Sequence, residues 1–169
     1  DGNTEKKDYS TKGIKASNQI TISKGNVSIK SFDDGIHANN IDTLENNESP
    51  LGDVTINGGN ITIYSNDDGI HADGKLLITS GTVNIVNSYE GIEGNTINLV
   101  NGYVSVRSKD DGINSTASSG EAIIIDGGVN YIYCSGDGID SNSRTSYSGI
   151  VFNGGDTVII SNSGGNSAI

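Results

Sequence analysis

Apolar and polar residues alternate along most of the chain with a period of two, which is the period of a β-strand whose two faces meet different environments. Short examples are Ile20-Thr-Ile22, Val27-Ser-Ile29 and Ile36-His-Ala38. No stretch of the sequence has the period of 3.6 residues that an amphipathic helix requires. The pattern therefore predicts an all-β protein made of many short strands.

An internal repeat organises these strands, and two glycine markers define it. The Gly-Ile pairs that follow a charged residue begin at Gly13, Gly35, Gly69, Gly91, Gly112 and Gly138. Their spacings are 22, 34, 22, 21 and 26 residues. A second series of glycines repeats the spacings 34, 22, 21 and 26 in the same order, and its members are Gly25, Gly59, Gly81, Gly102, Gly128 and Gly155. Shared irregular spacings indicate six copies of a unit of about 22 residues. Insertions near residues 43–51 and 115–119 lengthen two copies and are expected to form surface loops.

When the six repeats are aligned, similar apolar residues fall into columns. One column contains Ile14, Ile36, Ile70, Ile92, Ile113 and Ile139. Two more contain Ile20, Val54, Leu76, Ile97, Ile123 and Ile150, and Ile22, Ile56, Ile78, Leu99, Ile125 and Phe152. A polar column of Ser31, Ser65, Asn87, Ser108, Cys134 and Ser161 is expected to form a hydrogen-bonded ladder at a corner, with Cys134 in a structural role.

Each repeat then supplies three short strands separated by glycine-rich corners. A coil that closes every repeat lays each strand parallel to its copy, about 4.8 Å away. The sequence therefore predicts one domain over residues 1–169, folded as a parallel β-helix. We expect a three-sided solenoid of about six to seven coils, and a right-handed one because parallel crossovers are right-handed.

Composition and charge narrow the range of partners. The 169 residues include 24 Gly and 24 Ile, and Cys134 is the only cysteine, so no intramolecular disulfide can form. No apolar run approaches the roughly 18 residues of a membrane span, which argues against membrane insertion. The net charge of −11 argues against nucleic acid and anionic membranes as partners, and favours cations.

The negative charge is concentrated around the Gly-Ile pairs, in segments such as Asp33-Asp-Gly-Ile-His37 and Asp67-Asp-Gly-Ile-His71. The acids of these columns are Asp33, Asp34, Asp67, Asp68, Glu90, Glu93, Asp110, Asp111, Asp137 and Asp140. The rest of the chain carries 11 acids against 10 bases, so one edge of the fold holds nearly all the excess charge.

Carboxylates stacked about 4.8 Å apart repel one another and require a counterion. Paired carboxylates with Asn and backbone carbonyls nearby suit Ca²⁺, which takes six to eight oxygen ligands, whereas Zn²⁺ prefers His or Cys. Asp-Gly is also a good turn former, and the acids could serve only in turns. The doubled Asp pairs, and the acids three residues on at Glu93 and Asp140, favour calcium. Lys12 and Lys15 occupy these columns in the first repeat, so the sites are expected in the middle repeats.

His37 and His71 are the only histidines, and they are expected to stack in neighbouring repeats beside the acids. The first interpretation is a solvent-facing pair, the second is contact with a bound sugar, and a transition-metal site ranks last. Tyr64 and Tyr133 are expected to point outward from the third strand, near Arg107, where they could stack on sugar rings or serve only as strand formers.

The Asp-Asp-Gly-Ile-His-Ala repeats, with Ile-x-Ile and Gly-Asn-Val-x-Ile between them, resemble the secreted carbohydrate-binding β-helix proteins of cellulolytic clostridia. The resemblance spans essentially the whole chain. It implies an extracellular, calcium-containing right-handed parallel β-helix that binds plant cell-wall polysaccharides such as cellulose and polygalacturonate. It also implies metal sites like those of calcium-dependent pectate lyases, carried by the Asp-Asp positions. Glu90 and Glu93 depart from the aspartate pattern.

Three functions remain open on these residues. The preferred one is a non-catalytic polysaccharide-binding module, in which His37, His71, Tyr64, Arg107, Lys109 and Tyr133 are the candidate glycan contacts. The second is a calcium-dependent lyase, in which Arg107 or Lys109 would remove the proton next to a calcium-bound uronate. The third is a structural surface or adhesin rod that calcium stiffens. The sequence shows no nucleophile triad, phosphate loop or cofactor fingerprint.

Overall fold

The computed structural model describes residues 11–40, 51–141 and 148–162. Every regular element in these ranges is a strand, which confirms the all-β prediction, and so the described part contains no helix that could cross a membrane. The strands are β1 Ile14–Ala16, β2 Gln19–Ile22, β3 Asn26–Lys30, β4 Ile36–Ala38, β5 Asp53–Tyr64, β6 Ile70–Ser88, β7 Ile92–Leu99, β8 Tyr103–Ser108, β9 Ile113–Ser115, β10 Gly120–Ile125, β11 Val129–Cys134, β12 Ile139–Ser141, β13 Ser148–Phe152 and β14 Asp156–Ser161. The insertion expected near residues 43–51 lies almost wholly outside the described residues, and the one near 115–119 connects β9 to β10.

The described strands pair only in parallel, as predicted, and form one curled sheet. Each pairing joins a segment to its copy in the next repeat, which produces three stacks. Stack A follows the Gly-Ile pairs and contains β1, β4, the start of β6, the start of β7, β9 and β12. Stack B contains β2, the start of β5, the middle of β6, the end of β7, β10 and β13. Stack C contains β3, the end of β5, the end of β6, β8, β11 and β14.

The predicted apolar columns form the core. Ile36 pairs in register with Ile70, and Ile70 with Ile92, and all three side chains are fully buried. The columns of stack B have the predicted register as well, with Ile56 between Ile22 and Ile78. Burying one such side chain contributes about 1.5–3 kcal/mol, so like residues stacked on like hold successive repeats together.

Glycine allows the sharp corner between stacks B and C. Gly59 and Gly102 adopt φ values of +87° and +113°, in the left-handed region that residues with a Cβ rarely occupy. This corner conformation explains why the second glycine marker recurs in every repeat.

The polar column at the end of stack C differs from the prediction in one residue and in its bonding. A register shift after Ile85 places Ser88, not Asn87, opposite Ser108, and Ser88 is fully buried. Ser31 Oγ is buried with no hydrogen-bond partner among the described residues, whereas several other members of the column donate to corner carbonyls. Ser161 Oγ, for example, donates to the Gly136 carbonyl at 2.7 Å. Cys134 Sγ is buried and directed at the same carbonyl at 3.5 Å, as expected for a structural thiol.

Candidate functional site

The charged residues around the Gly-Ile pairs lie at the corner where stack C ends and stack A begins, which we call the acidic edge. In each of the first five pairs the glycine N–H donates to the carbonyl of the charged residue one repeat further on. Examples are Gly35 to Asp68 at 2.8 Å and Gly112 to Asp137 at 2.9 Å. These backbone bonds keep equivalent side chains in register along the edge.

Three columns of side chains result, and they contain all ten acids that the sequence singled out. The first column, two residues before the Gly, contains Thr11, Asp33, Asp67, Tyr89, Asp110 and Gly136. The second, directly before the Gly, contains Lys12, Asp34, Asp68, Glu90, Asp111 and Asp137. The third, directly after the Ile, contains Lys15, His37, His71, Glu93, Asn114 and Asp140.

The glycine of each pair is required by the close approach of successive repeats. A Cβ on Gly112 would lie 2.5 Å from the carbonyl oxygen of Gly138 and would overlap the Ile132 side chain. A Cβ on Gly69 would lie 2.6 Å from the carbonyl oxygen of Gly91. The column of glycines therefore brings the flanking acids of neighbouring repeats close together.

In repeats 1–3, which we call the upper half of the acidic edge, carboxylates have basic partners. The Lys12 ammonium lies 3.0 Å from Asp33 Oδ2 and 2.5 Å from Asp34 Oδ2. His37 Nδ1 lies 2.5 Å from the same Asp34 oxygen. Burial opposes ionisation of Asp34, but the bonds from His37 and Lys12 outweigh it and lower the pKa of this carboxyl to about 2.

The two histidines are stacked, as the sequence predicts. Their ring centroids lie 4.4 Å apart with an interplanar angle of 12°. His71 Nδ1 lies 2.7 Å from Asp68 Oδ2, which repeats the His37–Asp34 pair one repeat further on. Burial by itself lowers the pKa of His71. The hydrogen bond to Asp68 and the charge of Glu93 raise this pKa by more than burial lowers it, so the net shift is upward.

Asp73 joins this pair from the same strand as His71. Its Oδ1 lies 3.0 Å from His71 Nε2 and 3.7 Å from His37 Nε2. Its Oδ2 accepts the backbone N–H of Asn40 at 2.9 Å. Asp73 lies outside the repeated motif, so the sequence reasoning missed it; the only available signal was its place two residues after His71 on a strand, where both side chains share one face.

Asp67 lies close to Asp33 and Asp34, but the Lys12 ammonium that pairs with those two carboxylates forms no ion pair with Asp67. Oxygens of Asp33, Asp34 and Asp67 lie within 4.8 Å of one another. Partial burial, followed by the charges of Asp68 and Asp34, raises the pKa of Asp67 to about 6. This part of the edge therefore has an excess of negative charge even with Lys12 present.

In repeats 4–6, which we call the lower half of the acidic edge, the carboxylates face one another and backbone amides. Asp111 Oδ1 accepts the Asp137 N–H at 2.7 Å. Burial, followed by the charges of Asp110 and Glu90, raises the pKa of Asp111 to about 6, although the bond from Asp137 opposes the rise. Asp137 Oδ1 is buried and has no hydrogen-bond partner among the described residues.

Gly136 creates the room in which these carboxylates meet. A Cβ at this position would lie 2.6 Å from Asp110 Oδ1 and would overlap Asp111 Oδ1. Two aspartate oxygens therefore occupy the space above a glycine. An oxygen-lined cradle of this kind is suited to a hard cation.

Glu90 and Glu93 connect the two parts of the edge. Asn114 Nδ2 donates to Glu90 Oε2 at 3.2 Å. Burial, and then a hydrogen bond shared with Glu90, raise the pKa of Glu93. Glu93 Oε1 also lies 3.7 Å from His71 Nδ1. The departure of this repeat from the Asp-Asp pattern thus places two larger carboxyl groups at the boundary.

The outer face of stack C carries aromatic side chains in repeats 4 and 5, next to the lower half of the acidic edge. Tyr103 and Tyr131 are exposed, and the Arg107 guanidinium lies 4.8 Å from the centre of the Tyr133 ring. Tyr131, Tyr133 and Arg107 line a shallow groove of about 180 Å³. Sequence reasoning identified Tyr133 and Arg107 but missed Tyr103 and Tyr131, which occupy outward positions of the same strands.

The structure separates four of the predicted glycan contacts from this group, and two of them, His37 and His71, belong to the acidic edge. Tyr64 lies in repeat 2, where it pairs with Lys30 and lines a different groove of about 170 Å³. Three repeats, or about 14 Å at parallel-strand spacing, separate it from Tyr133. Lys109 is exposed at the corner directly before Asp110, so it lies at the acidic edge rather than on the tyrosine face.

Comparison with known proteins gives a match at the N-terminal end of the sequence. A family model described as a carbohydrate-binding domain-containing protein matches residues 1–63. This span covers repeat 1 and continues into β5 of repeat 2. No curated protein and no solved structure matches the chain.

Proposed function

We propose that this protein is a non-catalytic, calcium-binding module that recognises plant cell-wall polysaccharides, cellulose or polygalacturonate. The observation that carries the proposal is the direct continuity of an aromatic face with a carboxylate cradle. Tyr133 precedes Asp137 by four residues, and Arg107 precedes Asp110 by three. The carbohydrate-binding description of the family model that matches residues 1–63 supports the same conclusion.

The donor set of the lower edge fits calcium. It consists of carboxylate oxygens, one of them the buried and unpartnered Oδ1 of Asp137, and two of its carboxyl groups lie against the space above Gly136. Asp110, Asp111 and Asp137 would hold the ion, with Glu90 and Asp140 beside them. When bound, the ion would neutralise the column and offer open positions to glycan carboxylate or hydroxyl oxygens. A second cluster of carboxylate oxygens lies in the upper half and consists of Asp33, Asp34 and Asp67. The Lys12 ammonium already pairs with Asp33 and Asp34, so it would compete with a calcium ion there.

The tyrosine face would bind the sugar rings. Exposed aromatic rings offer flat apolar surfaces with polar hydroxyl groups, which is the chemistry that stacks on a pyranose ring. Arg107 holds the Tyr133 ring in place through a cation–π contact and leaves its donors available to a uronate. A linear chain lying across Tyr103, Tyr131 and Tyr133 would reach the acidic edge at the end of stack C.

The architecture that we propose for this module is the right-handed three-sided parallel β-helix expected from the repeat. Three parallel stacks in strict repeat order support it, because a chain that visits stacks A, B and C in turn and then pairs with its own previous repeat follows a coil. A module for plant cell-wall polymers would act outside the cell, either secreted or at the cell surface.

The test is depletion of the protein from solution by insoluble cellulose and by pectate gel, with calcium or with a chelator. We expect depletion without unsaturated sugar product, and we expect Tyr131→Ala to weaken it by about 0.5–1.5 kcal/mol, or roughly two- to tenfold. Tyr64→Ala is the matched control, since Tyr64 lies on another groove. Unsaturated product would assign a lyase, with Lys109 and Arg107 as its candidate bases, and no depletion by either polymer would favour a structural rod.

A further inference from the structure

The two histidines and Asp73 form a cluster whose geometry differs from that of the oxygen-only cradle. We propose that His37, His71 and Asp73 form a binding site for a divalent transition-metal ion of the zinc type. The site lies in the upper half of the acidic edge and does not depend on the calcium or glycan function proposed above.

The first support is the orientation of the imidazole rings. Parallel pairing of β4 with β6 places His37 directly beside His71, and the rings stack almost face to face. In each ring Nδ1 is directed at a carboxylate of its own repeat. Since a carboxylate can only accept, each Nδ1 carries a proton that it donates to its aspartate, and a metal ion would bind at Nε2. In His71 the ion would replace the proton that Nε2 donates to Asp73 Oδ1 in the metal-free protein.

The second support is the third ligand. Asp73 Oδ1 lies 3.0 Å from the Nε2 of His71 and 3.7 Å from the Nε2 of His37. The three residues can each offer one ligand atom such that these atoms lie within 4.8 Å of one another. A tetrahedral zinc ion with bonds of about 2.0–2.1 Å separates its ligand atoms by about 3.3 Å. The observed separations lie on either side of that value, so small side-chain rotations would close the site.

The third support is the set of groups behind the ligands. Metal-binding histidines almost always donate their other ring N–H to a carboxylate or carbonyl, which fixes the ring and raises its basicity. Asp34 and Asp68 fill this role, and they are only 3% and 7% exposed. Asp73 is held in the same way, because its Oδ2 accepts the Asn40 N–H while Oδ1 faces the histidines. The three ligands are therefore positioned before any ion arrives.

The chemistry of the donors selects the class of ion. Two imidazole nitrogens and one carboxylate oxygen suit Zn²⁺, Cu²⁺ or Ni²⁺, whereas Ca²⁺ prefers oxygen ligands throughout. The side chains of His37, His71 and Asp73 are 14%, 21% and 19% exposed, so an ion held here keeps a face open to solvent. Three protein ligands and an open position resemble the coordination of reactive or substrate-binding zinc rather than of a closed structural site.

The test is a calorimetric titration of metal-stripped protein with Zn²⁺ while calcium is present in excess to fill the oxygen sites. We expect one zinc ion per chain, and we expect Asp73→Asn and His71→Gln each to weaken its binding by about tenfold or more. Asp126→Asn is the matched control, because Asp126 is an exposed aspartate whose side chain bonds to Asn153, away from the acidic edge. Thermal melts of all four proteins without metal would show that they are folded.

A spectroscopic measurement on the wild-type chain addresses the ligands directly. Cu²⁺ bound through two imidazoles gives nitrogen hyperfine splitting in its electron paramagnetic resonance spectrum, and we expect this splitting in wild type and its reduction in His71→Gln. Zinc that binds Asp73→Asn and His71→Gln as tightly as wild type, zinc that calcium displaces, or copper bound through oxygen alone would each overturn the proposal.

Discussion

The upper and lower halves of the acidic edge come from the same repeated motif but have different electrostatics. In repeats 2 and 3 the Asp directly before the Gly-Ile pair is bound by a histidine three residues further on, and Asp34 is bound by Lys12 as well. In repeat 5 the corresponding Asp111 meets the backbone amide of Asp137 and the charges of other carboxyl groups. In repeat 6 the Oδ1 of Asp137 is buried with no hydrogen-bond partner among the described residues. The residue after the Ile therefore decides whether the aspartate orients an imidazole or becomes part of an oxygen cradle.

This difference shows how a repeat can carry two kinds of chemistry on one scaffold. In-register stacking places whatever follows the Gly-Ile pair about 4.8 Å from its copy. Where a histidine lies beside a histidine of the next repeat, two imidazole nitrogens are aligned. Where an acid lies beside an asparagine or another acid of the next repeat, side-chain oxygens are aligned instead. The two halves share the glycine of the Gly-Ile pair and differ in the partners of their carboxylates, and substitutions can change each of these in turn.

The largest effect is expected from the glycine that both halves need. Gly69→Ala in the upper half and Gly112→Ala in the lower half should each destabilise the fold by about 3 kcal/mol, because the new Cβ would meet a backbone carbonyl that has nowhere to move. Gly149→Ala is the matched control, since its Cβ would meet only a carbonyl oxygen at 3.8 Å. Urea denaturation measures all three. If the two corner variants were as stable as the control, the corners would not be as tightly packed as the structure shows.

Calcium should separate the halves. At a concentration a hundredfold above its dissociation constant, an ion that binds only the folded state stabilises it by about 2.7 kcal/mol. For a chain of this length that corresponds to a rise in Tm of about 5–10 °C, which a chelator should reverse. Asp111→Asn should abolish the rise, because it removes a charge from the cradle.

Asp67→Asn is the informative partner of that variant. Asp67 belongs to the upper cluster, where Lys12 competes with a metal ion, so this variant should keep most of the calcium-dependent rise in a scanning melt. A rise that survives in Asp111→Asn and disappears in Asp67→Asn would move the calcium site to the upper half. A melt that EDTA leaves unchanged in wild type would remove calcium from the proposal.

The sequence predicted the parts of the molecule that depend on the repeat. Columns such as Ile36, Ile70 and Ile92 could be aligned because residues at the same place in each repeat occupy equivalent positions in the fold. The ten acids could be assigned to one edge for the same reason. What could not be predicted lies between repeats or outside their pattern. The register shift after Ile85 exchanged Asn87 for Ser88, and no local signal marked it.

Asp73 and the pairing of Lys12 were missed for a related reason. Both depend on which side chain reaches across to a neighbouring repeat, and alignment columns describe only residues at the same place in each repeat. The resemblance to clostridial carbohydrate-binding proteins drew attention to the Asp-Asp positions as calcium ligands, whereas the structure shows that two of those carboxylates bind histidines. The two halves differ in the contacts between one column and the next, such as those from Asp34 to His37 and from Asp68 to His71, and an alignment of columns does not give such contacts.

The smallest effect, and the one that reports on the carboxylates themselves, is the pH dependence of stability without metal. Asp67 and Asp111 have pKa values raised to about 6 in the folded state, above the ordinary value of 3.8. Between about pH 4 and pH 6 the folded state therefore binds more protons than the unfolded state, and stability falls as pH rises through this window. In EDTA, Tm should be higher near pH 5 than near pH 7.

Calcium should remove this dependence on the lower half, since a bound cation replaces the protons and lowers the pKa of Asp111. Asp34 works in the opposite direction, because its pKa of about 2 stabilises the fold above about pH 4 and that contribution is lost only as pH falls toward 2. Asp111→Asn should reduce the fall between pH 5 and pH 7, and Asp126→Asn, far from the edge, should not. If wild-type Tm in EDTA rose from pH 5 to pH 7, the carboxylates of the edge would be compensated by groups other than a metal ion, and the contrast between the two halves would lose its electrostatic basis.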